Sequence, residues 1–291
     1  MRRSVLMAAA CVVMTLAGAA LVRETPVEAA ATADGRQAIS YGPDKLQTLD
    51  YWPGASADAP LVLFVHGGGW SRGDKQMMQR SDKLRHWRAK GYAVASLNYR
   101  LVPAATVEQQ AEDVASALAV LKSRANDLGF DGKRIALVGH SAGAHLVALV
   151  GTDPEYLRTA GLSFADIAGV VPLDGAAYNV VAQMTDGPRI MQDTYRDAFG
   201  NDPARQAKLS PTTQAAAPNA AQFLILHVQR EDGIRQSKAL GEALGKAGTV
   251  AEVRGFAGTG LRGHAEINRR MGDESYPATA VLDAFLARVF G

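Results

Sequence analysis

Runs of mostly apolar residues alternate along the chain with segments of helical periodicity. Each run has the length of a strand, and the lack of polar alternation within it indicates burial on both faces. Strands are predicted at residues 46–52, 61–65, 93–97, 134–138, 167–173, 223–228 and 250–256. Helices are predicted at residues 75–90, 106–124, 144–150, 237–246 and 276–290. This alternation predicts one α/β domain over residues 46–291, with a mostly parallel sheet and helices on both faces.

The first 45 residues have a different pattern. Residues 1–3 are basic, residues 4–22 are almost wholly apolar, and small-residue cleavage patterns follow at 17–19 and 27–29. This order predicts a signal peptide over residues 1–29 and an exported protein without stable membrane association, although an uncleaved anchor is the alternative. Residues 30–45 are small and polar, which predicts a flexible lead-in.

One long stretch interrupts the alternation, between the strands predicted at 167–173 and 223–228. Long insertions in compact domains are usually lids or binding loops, so residues 175–220 are predicted to form a small partial cap. The alternative is one or two surface helices without such a role. Trp70, Tyr178 and Met184 are candidates to line a substrate pocket, and core packing would explain each of them equally well.

The strongest local signal is the sequence GHSAG at residues 139–143. An apolar strand precedes it and a helical segment follows it, as in the nucleophile elbow G-x-S-x-G. A sharp strand-to-helix turn leaves no room for side chains at the flanking positions, which explains Gly139 and Gly143. The elbow places Ser141 at a helix N-terminus, where negative charge is favoured. Ser141 is therefore the predicted nucleophile.

A serine nucleophile needs a base, and the base needs an acid that orients it. Of the six histidines, only His264 is predicted to lie on a loop after the last strand, so it is the predicted base. Asp232 follows the strand at 223–228 and precedes His264, which gives the Ser–Asp–His order of the elbow fold. Asp232 is therefore the predicted acid, and Asp174, at the end of the preceding strand, is the alternative.

The sequence HGGGW at residues 66–70 follows another predicted buried strand. Consecutive glycines let the backbone turn its N–H groups towards a substrate oxygen, which predicts an oxyanion hole. The N–H of Ala142, the residue after the nucleophile, is the second predicted source of donors.

Composition adds little to this picture. The formal net charge of +2 and the interrupted basic segments give no indication of nucleic-acid binding. The chain has no H-E-x-x-H pattern, and no metal or other cofactor is expected. Cys11 is the single cysteine and lies in the predicted signal peptide, so the exported protein would have no disulfide.

Taken together, HGGGW and GHSAG make the chain from residue 46 onwards resemble an α/β-hydrolase, specifically the hormone-sensitive-lipase-like carboxylesterases. The resemblance implies that the oxyanion donors are Gly68, Gly69 and Ala142. It also implies hydrolysis of small carboxylic esters of short to medium acyl chains without a cofactor. The segment before the first buried strand is shorter than the N-terminal cap of that family. HGG-x-Trp is also similar to the kynurenine formamidase relatives, whose substrate is an amide.

The sequence thus predicts a serine hydrolase, most simply a carboxylesterase. An arylformamidase or another amide-cleaving enzyme is the first alternative, because the same machinery serves both leaving groups. A binding protein on a hydrolase scaffold is the second, and it is disfavoured because it would not need the predicted triad.

Overall fold

The computed structural model describes residue 32 and residues 34–291. The predicted signal peptide and the alternative anchor lie outside these residues and stay predictions, as does export. Among the helices of residues 34–291, none is long and apolar enough to cross a membrane.

One eight-stranded sheet forms the centre of the described region. Its strands are β1 (Gln37–Ser40), β2 (Thr48–Trp52), β3 (Leu61–Val65), β4 (Ala93–Leu97), β5 (Ile135–His140), β6 (Gly169–Leu173), β7 (Gln222–Gln229) and β8 (Val250–Thr259). The spatial order is β1-β2-β4-β3-β5-β6-β7-β8. The β1–β2 and β2–β4 pairs are antiparallel, and all other neighbours are parallel. The predicted mostly parallel sheet is confirmed.

Helices connect the strands. The α-helices are α1 (Asp82–Ala89), α2 (Val107–Ser123), α3 (Ala125–Leu128), α4 (Ala142–Thr152), α5 (Pro154–Thr159), α6 (Val180–Asp186), α7 (Gln192–Phe199), α8 (Pro203–Lys208), α9 (Pro211–Gln214), α10 (Glu231–Lys246), α11 (Gly260–Arg270) and α12 (Pro277–Phe290). Short 3₁₀ helices occupy Lys75–Arg80, Phe164–Asp166 and Arg189–Met191.

The sheet separates two apolar cores, because successive side chains of a strand point to opposite faces. In β3, Leu61, Leu63 and Val65 pack with residues of α2, α4 and α10. Val62 and Phe64 pack on the other face with residues of α1, α11 and α12. Every residue of β3 is buried, which explains why the strand reads as a continuous apolar run. The prediction of helices on both faces is confirmed.

Two local predictions are wrong. The predicted flexible lead-in at 30–45 contains β1, whose polar sequence QAIS gives no apolar pattern although it pairs with β2 at the sheet edge. The predicted loop before His264 is the first turn of α11. Its glycines serve a close approach of backbone to backbone, since a Cβ at Gly263 would lie 2.4 Å from the carbonyl carbon of Gly258.

The insertion at 175–220 consists of the four short helices α6–α9 and one 3₁₀ helix. It reaches the predicted oxyanion loop, because a Cβ at Gly69 would lie 2.9 Å from the methyl carbon of Thr194 on α7. This contact places the insertion beside the HGGGW segment. Its role as a cap over a substrate stays a prediction.

Candidate active site

Ser141 occupies a strained turn between β5 and α4. Its φ of 57° and ψ of −118° lie outside the regions that L-residues prefer. A Cβ at Gly139 would lie 2.2 Å from the carbonyl oxygen of Gly143, and a Cβ at Gly143 would lie 2.2 Å from that of Val65. Both glycines are therefore required by close packing, as the sequence predicts. The turn places Ser141, which is half-buried, directly after the carboxyl end of β5.

His264 connects Ser141 to Asp174. Its Nε2 lies 3.0 Å from Ser141 Oγ, and its Nδ1 lies 2.6 Å from Asp174 Oδ2. A carboxylate oxygen accepts, so Nδ1 carries the proton and donates it, which leaves the lone pair of Nε2 facing the serine hydroxyl. This is the tautomer that a general base needs. The predicted pairing of Ser141 with His264 is present.

Asp174 is the carboxylate that faces His264. It follows the last residue of β6 with a φ of 44°, and its side chain has no solvent exposure. Oδ1 accepts from the backbone N–H of Val228 at 3.0 Å, which leaves Oδ2 for His264. Burial alone would raise the pKa of this carboxyl, but the hydrogen bond from His264 and the charge of Arg230 outweigh burial and hold the pKa below its usual value. Asp174 is thus fixed as an anion.

Asp232 does not contact His264, so the prediction that it orients the base is wrong. The helix α10 begins at Glu231, the residue before Asp232, so Asp232 lies in the first turn of the helix. There, Asp232 Oδ2 accepts from Gln183 Nε2 at 3.1 Å and lies 3.7 Å from Arg230 Nη1. The turn after β6 instead presents Asp174, the alternative acid, next to the elbow.

The HGGGW loop lies directly against the elbow. A Cβ at Gly67 would lie 2.9 Å from the Cβ of Ser141, and Gly68 and Gly69 have positive φ of 130° and 59°. Ala142 begins α4, where the first N–H groups have no partner within the helix. The loop that carries the predicted glycine donors therefore lies beside the serine, and Ala142 follows it directly in the chain. Their action on a substrate oxygen belongs to the proposal below.

Trp70 is not a pocket residue, since only 2% of its surface is exposed and it belongs to the core. It also has a positive φ of 58°. Its carbonyl accepts from Gln110 Nε2 at 2.7 Å, and its indole N–H donates to His145 Nδ1 at 3.3 Å. His145 in turn donates through Nε2 to the carbonyl of Leu209 at 2.8 Å. Trp70 thus ties the oxyanion loop to α4 and to the insertion.

The other two predicted pocket residues differ from each other. Tyr178 is fully buried in the core, where its hydroxyl accepts from the N–H of Gly175 at 3.1 Å. The pocket prediction is therefore wrong for Tyr178. Met184 is half-buried and packs against the core, and its contact with a substrate stays a prediction. Thr194 lies beside Gly69, and no sequence pattern indicated this neighbour.

His140 is hydrogen-bonded to the backbone of the candidate base, His264. Its Nε2 donates to the carbonyl oxygen of His264 at 3.0 Å, and the two rings lie 4.5 Å apart. Burial is the main cause that lowers the pKa of His140 to about 3, and the neighbouring His264 contributes in the same direction. A neutral His140 is a stable donor at ordinary pH. In the sequence, His140 is only the second residue of the elbow motif, so no pattern indicates this contact.

A known family model covers most of the residues of this site. The BD-FAE family model matches residues 49–244, which include the oxyanion loop, the elbow and both candidate acids. The chain belongs to the BD-FAE family. His264 lies beyond the matched residues, so its pairing with Ser141 rests on the contacts above.

Curated relatives of this BD-FAE chain include two proteins of Mycobacterium tuberculosis. Esterase LipQ is 30% identical over 73% of the chain and 53% of its own length, and the probable carboxylic ester hydrolase LipM is 29% identical over 70% and 49%. The chain spans about half the length of these two relatives.

Solved structures show the α/β-hydrolase fold. Esterase B from Lactobacillus rhamnosis superimposes with a TM-score of 0.71 at 23% identity, over 87% of this chain and 83% of that one. The esterase of Pyrobaculum calidifontis gives 0.68 at 19% identity, over 84% and 81%. At these identities, the fold is what is shared, and the predicted α/β-hydrolase fold is confirmed.

Residues 34–291 contain no group of three side chains of the His, Cys, Asp or Glu type placed to hold a metal ion. The expectations of no cofactor, no nucleic acid and no stable membrane association stay predictions.

Proposed function

We propose that this chain is a serine hydrolase that cleaves carboxylic esters of short to medium acyl chains through an acyl-enzyme. The observation that carries the proposal is the continuous line of contacts from Ser141 through His264 to Asp174. The naming of the relatives LipQ and LipM as an esterase and a carboxylic ester hydrolase supports the ester class.

In this proposal, His264 Nε2 takes the proton of Ser141 Oγ as the oxygen attacks the acyl carbon. The imidazolium that forms is stabilised by Asp174, which keeps Nδ1 protonated throughout. His264 then donates the proton on Nε2 to the leaving alcohol oxygen. A water molecule, deprotonated by the same nitrogen, then attacks the acyl carbon, the bond from that carbon to Ser141 Oγ breaks, and His264 returns the proton to Oγ, which releases the acid and free Ser141.

The negative oxygen of the tetrahedral intermediate would be held by the N–H groups of Gly68, Gly69 and Ala142. Positive φ at the two glycines directs their amides differently from a regular strand, and Ala142 lies at the positive end of α4. Donors of this kind are worth about 3–4 kcal/mol each to the transition state. The loop that carries the two glycines is held in place at Trp70, whose carbonyl and indole N–H are both hydrogen-bonded.

A small acyl pocket is supported by the closeness of α7 to the oxyanion loop. The methyl group of Thr194 lies against Gly69, and the ring of Trp70 behind the loop contacts the rings of Tyr195 and Phe199. A long acyl chain would therefore have to leave the site along another direction.

The test compares initial rates on aryl esters from acetate to palmitate, with an aryl formamide in parallel, for the wild type and three variants. S141A should abolish turnover and labelling by a fluorophosphonate. D174N should lower kcat/KM by about 10³–10⁴-fold, because it removes the anion that orients the base. D232N is the matched control, since Asp232 follows the neighbouring strand β7, and its kcat/KM should stay within about tenfold of the wild-type value.

Several outcomes would contradict the proposal. Full ester hydrolysis by S141A would refute the nucleophile. A larger loss in D232N than in D174N would return the acid to the position that sequence order suggests. Strong turnover of the formamide without ester turnover would keep the three residues but replace the substrate class.

A further inference from the structure

A buried arginine lies behind the candidate triad. The Arg230 side chain is 8% exposed and lies between Asp174, which is fully buried, and Asp232, which is 7% exposed. Its Nη2 donates to the carbonyl of Gly175 at 3.1 Å, and its Nη1 lies 3.7 Å from Asp232 Oδ2. Its Nε lies 3.4 Å from Asp174 Oδ2, an ion pair without hydrogen-bond alignment. One guanidinium is thus shared by two buried carboxylates.

The backbone is shaped to admit this guanidinium. A Cβ at Gly233 would lie 3.0 Å from Arg230 Nη2, so the glycine in the first turn of α10 leaves the space that the side chain fills. The contact with Gly175 fixes the turn that follows β6, in which Asp174 and Ala177 both have positive φ. The arginine therefore supports both the charge and the backbone of the candidate acid.

The electrostatic consequence reaches His264. Arg230 Nε and His264 Nδ1 both contact Asp174 Oδ2, at 3.4 Å and 2.6 Å, so the two nitrogens are no more than about 6 Å apart. At that separation, the cation opposes the protonation of His264, whereas Asp174 and Asp232 favour it. The candidate base is thus neighboured by one buried cation and two buried anions.

We propose that Arg230 is a positioning residue of the triad, which orients Asp174 and, together with Asp232, sets the lower pH limit of catalysis. This inference rests on the proposed function, because it assigns Arg230 a role through the base and its acid. It also gives Asp232 a role: the aspartate that sequence order marks as the acid acts here as the second partner of the arginine.

Five other titratable groups lie around this cluster, and each of them titrates below or above the weakly acidic range. Burial holds the pKa of Tyr178, Tyr195 and Tyr276 above the usual tyrosine value, so these hydroxyls stay neutral. The pKa of His140 is lowered to about 3, mainly by burial, and that of Lys83 to about 8. Lys83 would affect the basic side of a pH profile, so the test uses the acidic limb alone.

The experiment measures kcat/KM on an aryl acetate against pH, where the acidic limb reports protonation of the free enzyme's base. R230Q removes the cation, so the limb should move to higher pH by about one to two units, the range that Coulomb's law gives for unit charges about 6 Å apart. D232N removes an anion farther away, so the limb should move to lower pH by about half a unit.

Two further variants separate charge from structure. R230K keeps the charge but loses the bond to Gly175 and the planar contact, so the limb should stay near the wild type while kcat falls. R235Q is the matched control, because Arg235 lies on α10, the helix that follows Arg230, but is 53% exposed and pairs with the exposed Glu231. Its profile should match the wild type, since solvent screens the charge.

Opposite shifts in R230Q and D232N support the proposal, and a purely structural role would not produce them. Unchanged limbs in both, with ester turnover and S141A inactivation as expected, would overturn the role of Arg230 but leave the proposed function standing. A failure of the proposed function differs, because S141A would then remain active. Should R230Q not fold, the sign of the D232N shift decides.

Discussion

His145 links three segments of this BD-FAE chain and is fully buried among them. Its Nδ1 accepts from Trp70 of the oxyanion loop, its backbone belongs to α4, and its Nε2 donates to Leu209 of the insertion. A ring held in this way cannot take up a proton without losing the bond to Trp70. Burial lowers the pKa of His145 to about 4, well below the usual histidine value of about 6.5.

This lowered pKa makes stability depend on pH with a definite sign. Between pH 6.5 and 4, the unfolded chain binds a proton at this position and the folded chain does not, so the free energy of unfolding falls as the pH falls. From pH 7 to pH 5, the loss due to His145 is about 2 kcal/mol. His140, with its pKa of about 3, adds a similar loss.

H145Q isolates the contribution of His145. The glutamine amide can still donate to Leu209, so the variant should lose about 1–2 kcal/mol at pH 7 and remain folded. Urea unfolding, followed by tryptophan fluorescence at pH 7 and pH 5, gives the free energy of unfolding in each case. The fall between the two pH values should be about 2 kcal/mol smaller in H145Q than in the wild type.

The control is L146A, which removes a fully buried side chain from the next position of α4. It should lose about 2–5 kcal/mol at both pH values, because a cavity does not titrate. Its fall between pH 7 and pH 5 should equal that of the wild type. An H145Q fall as large as the wild-type fall would refute the assignment of acid sensitivity to this histidine.

Two further predictions concern the oxyanion loop and a buried lysine. G68A should lower kcat/KM by about 10²–10³-fold, since Gly68 has a φ of 130° and the added Cβ would lie 2.0 Å from the Arg72 carbonyl oxygen. The control G161A, also at positive φ but in open space, should leave kcat/KM unchanged. Equal rates in the two variants would refute the packing argument. Burial lowers the pKa of Lys83 to about 8, although Lys83 donates to Asn268. Between pH 7 and pH 10, the free energy of unfolding of the wild type, measured in urea, should therefore rise by about 2 kcal/mol relative to that of K83M. The same pH dependence of the unfolding free energy in both proteins would contradict this prediction.

The sheet could be predicted because its central strands are buried on both faces. Residues 61–65 and 93–97 read as uninterrupted apolar runs and form β3 and β4 with the same bounds. The edge strand β1 escaped prediction, since QAIS is too short and polar to show a period. The first turn of α11 escaped it too, because glycines needed for the close approach to Gly258 look like loop residues.

In the site, Ser141 and His264 could be predicted from motif and chain order, but the acid could not. Asp174 and Asp232 both follow strands, both precede His264, and their strands β6 and β7 are neighbours. The choice depends on where α10 begins and on a positive φ at residue 174, and neither leaves a pattern in the sequence. Trp70 could not be assigned for a related reason, because core and pocket aromatics look alike in one sequence.

Acidification affects this protein in two ways, through loss of the base His264 and through loss of stability at His145 and His140. Protonation of His264 removes the base without unfolding the chain, so it lowers kcat/KM and reverses at once. Protonation at His145 or His140 requires opening of the core that holds the oxyanion loop and the base, so it acts through the folded population. H145Q should therefore widen the pH range of the fold without moving the acidic limb, and R230Q should move the limb without widening that range. The two variants together separate the chemistry of the site from the stability of its scaffold.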